Sequence, residues 1–186
     1  VSGSNWIYFM NGTTITSGAG VSAVPDPDNW KVAGNGDYNG DGKSDILWRN
    51  LASGSNWVFL MNGNSIVTSA GVSTLSDPQW QVVGNGDYNG DGMSDVLWRH
   101  GGSGTNWVYL MNGSSIVTSA SVSQLTDQNW KIVGDGDYNG DGRSDVLWRN
   151  IATGSNWLYL INGTIIEQSV SVNSEVDTDR EIVNAD

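Results

Sequence analysis

Apolar residues along this chain fall in short runs separated by Gly, Asn, Asp and Ser, and no run carries the 3.6-residue spacing of a helix. In Trp57-Val58-Phe59-Leu60-Met61 both alternating sets are apolar, which predicts a strand covered on both faces. The following Ser65 to Val72 is richer in Ser and Thr and predicts an outer, partly exposed strand. Trp30-Lys31-Val32-Ala33-Gly34 ends in small residues that suit a crowded inner position. Ile46-Leu47-Trp48-Arg49 is a further apolar strand that closes on an Arg. Asn-Gly stands between apolar strands at Asn11-Gly12, Asn62-Gly63, Asn112-Gly113 and Asn162-Gly163, and predicts four type I′ hairpin turns.

These elements repeat about every 50 residues, and residues 51–100 and 101–150 agree at most positions. One unit reads strand, acidic loop, strand, Ser-Gly connection, strand, Asn-Gly turn, strand. The expected fold is all-β, a propeller-like array of four-stranded antiparallel blades without helices. Its single repeat domain divides into a partial unit at 1–28 (the last two strands), full units at 29–78, 79–128 and 129–178, and the first strand of a further unit at 179–186. Partial units at opposite ends would expose sheet edges, which invite pairing. Self-association is therefore expected, and ring completion and filament growth both remain open.

The acidic loop reads D-x-N-x-D-G-x-x-D in all three full units. Asp37, Asn39 and Asp41 stand at loop positions 1, 3 and 5, Gly42 allows the turn at 6, and Asp45 closes the loop at 9. Position 7 should give a backbone carbonyl, which frees its side chain to vary, and it is Lys43, Met93 or Arg143. The equivalent ligands are Asp87, Asn89, Asp91 and Asp95 in the second loop and Asp137, Asn139, Asp141 and Asp145 in the third. All are hard oxygen donors, so one Ca²⁺ per full unit, three in all, is the expected cofactor. An EF-hand is excluded, because Trp48, Trp98 and Trp148 occupy position 12, where that motif needs a bidentate Glu.

The formal charge of -12 changes meaning in this light. Most of it sits on the loop Asp residues, where it is a capacity for cations. With only eight basic residues, nucleic acid is not an expected partner. Cysteine is absent, which leaves neither disulfides nor thiolate sites, and no apolar run is long enough for a membrane helix. Calcium loops suit the millimolar calcium outside cells, so an extracellular location is expected.

The segment Gly34 to Trp48, GNGDYNGDGKSDILW, and its copies resemble the FG-GAP/VCBS-type repeats of integrin α-chain propellers and many secreted bacterial proteins. The resemblance implies a β-propeller with a calcium loop between the first two strands of each blade, used in adhesion, ligand display or glycan binding.

The leading expectation is an extracellular structural or adhesive repeat protein that calcium rigidifies and that self-assembles through incomplete ends. The alternative is a calcium-dependent multivalent lectin, with glycans or cell-surface and matrix ligands as partners. Ten Trp residues fall at three repeated positions: Trp6, Trp57, Trp107 and Trp157; Trp30, Trp80 and Trp130; Trp48, Trp98 and Trp148. Inter-blade packing is their main expected role, with sugar stacking as the sharper one. Arg49, Arg99 and Arg149 are read as stacking and ion-pair residues. Asn11, Asn112 and Asn162 open N-x-[ST] triplets and are candidate glycosylation sites. An enzyme is not expected: His100, the one His, replaces Asn50 and Asn150 of the other units and reads as a surface substitution.

Overall fold

A computed structural model describes residues 3–175; the terminal strand expected at 179–186 lies outside the described residues. Fourteen strands and no helix are found among them. β1 (Asn5–Asn11) and β2 (Thr14–Val21) form a two-stranded sheet. Three four-stranded antiparallel sheets follow in chain order. The first holds β3 (Trp30–Gly36), β4 (Asp45–Asn50), β5 (Ser55–Asn62) and β6 (Ser65–Thr74). The second holds β7 (Trp80–Gly86), β8 (Asp95–His100), β9 (Thr105–Asn112) and β10 (Ser115–Gln124). The third holds β11 (Trp130–Gly136), β12 (Asp145–Asn150), β13 (Asn156–Asn162) and β14 (Ile165–Val172). The blades stand side by side, with the first strands β3, β7 and β11 adjacent.

Strand alternation sends the side chains of the first and second full blades into two different cores. Leu47 and Val58 face the second blade and pack with its Val96, Trp98, Tyr109 and Met111. Trp48, Phe59 and Met61, on the opposite face of the same blade, pack with Val21 and Val24. The pattern recurs one blade on, where Leu97 and Val108 meet Val146, Trp148, Tyr159 and Ile161. Apolar residues on both faces of the inner strands are thus the signature of stacked sheets.

The small residues at the end of each first strand have a definite cause. A Cβ at Gly34 would strike the Asn85 side chain, and one at Gly84 would strike the Tyr88 hydroxyl. The register also slips between Val32 and Gly34, with the same bulge in the next two blades, so the strand bends just before the acidic loop.

The hairpin turns differ from the type I′ expectation. Asn62 pairs with Ser65 as the last residue of its strand, and Gly63 (φ 63°) with Asn64 makes the turn. No Asn in these turns has positive φ; Gly12, Gly113 and Gly163 do. Glycine at the first central position is the type II′ arrangement.

The Trp sets separate by depth. Trp48, Trp98 and Trp148 are core residues, while Trp57 and Trp157 remain more than a third exposed and Trp6 is 60% exposed. The fixed Arg is structural. Arg49 is buried, lies 5.1 Å over the Trp98 ring of the next blade, and donates to Gly54 O, Asn56 Oδ1, Leu75 O and Asp77 O. Arg99 repeats this on Trp148. Its partners are carbonyls rather than the carboxylates an ion pair would use. His100 is likewise less superficial than expected. Its Nδ1 accepts the N–H groups of Gly102 and Ser103, as Asn50 Oδ1 accepts those of Ala52 and Ser53, and its Nε2 meets Asp77 Oδ2 at 2.9 Å.

Candidate metal centre

Each acidic loop is wound on its first carboxylate. Asp37 Oδ1 accepts the N–H of Gly40 and Asp41, and Oδ2 accepts that of Gly42 at 2.6 Å. Asn39 Oδ1 accepts Asp41 N–H, and Asp41 Oδ1 accepts Lys43 N–H. Gly40 and Gly42 both have positive φ, which lets these bonds close within so few residues. Asp87 and Asp137 organise their loops in the same way.

The ninth-position Asp does something the spacing did not reveal. Asp45, Asp95 and Asp145 are fully buried. Asp45 Oδ2 accepts Tyr38 N–H and Oδ1 accepts Met61 N–H, which ties the loop to the third strand of its blade. Asp95 bonds Tyr88 and Met111, and Asp145 bonds Tyr138 and Ile161. Among the described residues no cationic side chain bonds any of the three. Burial, reinforced by the charges of Asp91 and Asp87, pushes the Asp95 carboxyl up to about 7. Asp45 and Asp145 are raised for the same reasons.

Position 7 is not neutral either. Lys43 Nζ reaches Asp41 Oδ2 at 3.2 Å, and Arg143 reaches Asp141 Oδ2 at 2.8 Å and Glu167 Oε2 at 3.2 Å. In the middle loop, where this residue is Met93, Asn89 Nδ2 donates to Asp91 Oδ2 with no cation beside it, and Asn139 Nδ2 donates to Asp141 Oδ2 in the third loop as well.

Among the described residues, no group of three or more acidic or His side chains converges as a ligand shell. The first carboxylate of each loop is turned to the N–H groups of its own loop, and the ninth is shared between its loop and the third strand of the blade. Their chemistry nonetheless fits a hard cation. Every side-chain donor is oxygen, each loop carries three carboxylates, and the buried one has no positive partner. Asp37, Asn39, Asp41, Asp45 and the Lys43 carbonyl would hold calcium, with equivalents in the other loops. Bound calcium would supply the positive charge that the buried carboxylate lacks.

A second feature recurs in every full blade. Leu75, Trp80, Trp98, Trp107, Tyr109 and Ser119 line a cavity of about 210 Å³. Leu125, Trp130, Trp157, Tyr159 and Ser169 line one of about 270 Å³ at the same place in the third blade. In the first blade Trp30, Trp48, Trp57, Phe59, Ile66 and Ser69, with the 22–25 segment, line about 530 Å³. The half-exposed indoles are held by Trp57 Nε1–H to Ser69 Oγ and Trp157 Nε1–H to Ser169 Oγ. The buried indole N–H groups of Trp48 and Trp98, on the cavity walls, have no acceptor among the described residues.

The candidate glycosylation residues Asn11, Asn112 and Asn162 are exposed at hairpin ends, and Asn162 Nδ2 donates to Glu167 Oε1. Sequence reasoning missed Asn85, Asp135, Ser94 and Ser144, which hold neighbouring blades together. Their repetition at fixed spacing was the available signal.

No curated protein matches this chain. Among solved structures, it is similar to an Agrocybe aegerita lectin described as specifically recognising non-reducing terminal N-acetylglucosamine, with 21% identity and a TM-score of 0.58. The match covers 81% of this chain and 39% of the lectin, so this chain spans well under half of that protein's length. At such identity the likeness is one of fold. The FG-GAP-like repeat family matches twice, over residues 37–98 and 87–148, each match running from one acidic loop to the second strand of the next blade. With more than half of its length accounted for in this way, the chain belongs to the FG-GAP-like repeat family.

Proposed function

We propose that this chain is an extracellular adhesive repeat module whose blades are stiffened by calcium, one ion in each of the three acidic loops. The observation that carries the reading is the fully buried Asp of each loop, set near two further carboxylates and with no cationic partner of its own among the described residues. A buried charge without compensation is costly, and a divalent cation from the millimolar calcium outside cells compensates it. Binding to the folded form alone then adds stability by mass action. Calorimetric titration tests this. Three ions are expected for the native chain and two after D87A and D91A together; an unchanged count sinks the reading.

The recurring aromatic cavity favours a second function for the same module, multivalent glycan binding. Half-exposed indoles offer flat apolar faces to a pyranose ring, and repetition would convert weak sites into avidity. The recognition of terminal N-acetylglucosamine by the structurally similar lectin makes that sugar the first to try. Binding on a glycan array should weaken in W107A, whose side chain lines a cavity wall. A folded native chain that binds no glycan removes this reading and leaves the calcium module standing.

Self-association belongs to the leading reading. β1 pairs only with β2 among the described residues, and Trp6 and Tyr8 on it are 60% and 59% exposed. The other edge of β1 is suited to a strand from a second copy.

A further inference from the structure

The acidic loops are joined to one another across the blade boundaries. Ser94 N–H donates to Asp37 O at 2.7 Å, and Asp37 N–H donates to Ser94 Oγ at 3.0 Å. Asp37 is the first residue of its loop. Ser94 lies in the next loop, between Met93 and Asp95, the positions that would give the carbonyl and the closing carboxylate. One boundary on, Ser144 N–H donates to Asp87 O at 2.7 Å. The following residues are tied as well, since Gly113 N–H donates to Tyr38 O at 2.7 Å and Gly163 N–H to Tyr88 O at 2.6 Å.

The approach is too close for a side chain at the preceding residue. A Cβ at Gly36 would collide with Ser94 Oγ, and one at Gly86 with Ser144 Oγ. The third loop stands differently: among the described residues nothing lies within 4 Å of a Cβ at Gly136, and no serine bonds Asp137.

We infer that Ser94 and Ser144 are positioning residues for the cation site of the preceding blade, so that calcium in one loop raises the affinity of the loop before it. The inference rests on the calcium reading above. An ion in the second loop fixes the residues on both sides of Ser94, and Ser94 fixes the backbone on which Asp37 is placed. Linkage makes the effect reciprocal, so calcium in the first loop favours it in the second by the same factor. The third loop is coupled backwards through Ser144 and has no serine clamp of its own among the described residues.

Calcium titration of the full chain, followed by hydrogen exchange of the peptides spanning each loop, reads the sites separately. Removing the Ser94 hydroxyl in S94A should weaken protection of the 37–45 loop by about fivefold in calcium concentration, the scale of one hydrogen bond. The direct effect on the 137–145 loop should be much smaller, and S94T should restore the first loop. D91A disables the second loop while removing neither bond between Ser94 and Asp37, and should also weaken the first. First-loop affinity unchanged in both S94A and D91A overturns the coupling while calcium binding stands. A native chain in which no loop responds to calcium overturns the calcium reading, and the coupling with it.

Discussion

Tyr88 and Tyr138 occupy the same place in the same local sequence, G-D-Y-N-G-D-G, yet Tyr88 is fully buried and Tyr138 is 43% exposed. Around Tyr88 the third blade supplies Ser144, Gly163 and Asp135, whose Oδ2 accepts the Tyr88 hydroxyl at 3.3 Å. Tyr38 is buried in the same manner, with its hydroxyl on Asn85 Oδ1. The two environments show that burial at this position is set by the next blade and not by the loop that carries the residue. A repeat array has this property because each unit meets only its neighbours. The loop sequence specifies a turn; the adjoining sheet turns it into core.

The largest test of the contrast is truncation of the two tyrosines. Y88A removes a fully buried ring and leaves a cavity at the boundary between the second and third blades, at an expected cost of about 4 kcal/mol. Y138A removes a ring that is nearly half exposed and should cost about 1 kcal/mol or less. Urea unfolding with both m-values reported separates stability from changes in compactness. Equal losses would mean that Tyr138 is covered in solution as Tyr88 is.

Much of the fold was legible because two signals agreed. The repeat length gave the unit, and apolar residues on both faces of strands such as β5 required sheets stacked on either side. The loop was legible as a turn and as a set of oxygen donors. Its other roles were not. Nothing in D-x-N-x-D-G-x-x-D indicates that Asp45 also accepts N–H groups from Tyr38 and from Met61 in another strand, because that second contact is set by packing of β5 against β4. Asn11-Gly12 and its copies suggested the wrong turn because the dipeptide suits type I′ when both residues are central. Here the strand runs through the Asn, and only Gly needs positive φ. Arg49 was legible as a stacking residue, but two of its carbonyl partners, Leu75 and Asp77, come from the linker to the next blade, which local spacing cannot indicate. His100 was misread because imidazole Nδ1 can replace an Asn oxygen as the acceptor of a turn.

The finest test uses one methyl group. Gly36, Gly86 and Gly136 all precede the first loop Asp, and none has positive φ, so alanine brings no backbone strain at any of them. At Gly86 the new Cβ meets Ser144, and overpacking of that boundary should cost about 2 kcal/mol. At Gly136 it meets open space among the described residues, so G136A should be neutral or stabilising by about 0.5 kcal/mol, from the smaller entropy of its unfolded chain. Thermal melts at low protein concentration read the two variants side by side. Light scattering of G136A at rising concentration sharpens the result. If copies of this chain add end to end with a blade seated on the third loop, the methyl group that leaves the single chain stable should impede assembly, because it would face the next copy as Gly86 faces Ser144. Native assembly that G136A leaves intact would place the contact elsewhere, with the edge of β1 that is unpaired among the described residues as the next route to test.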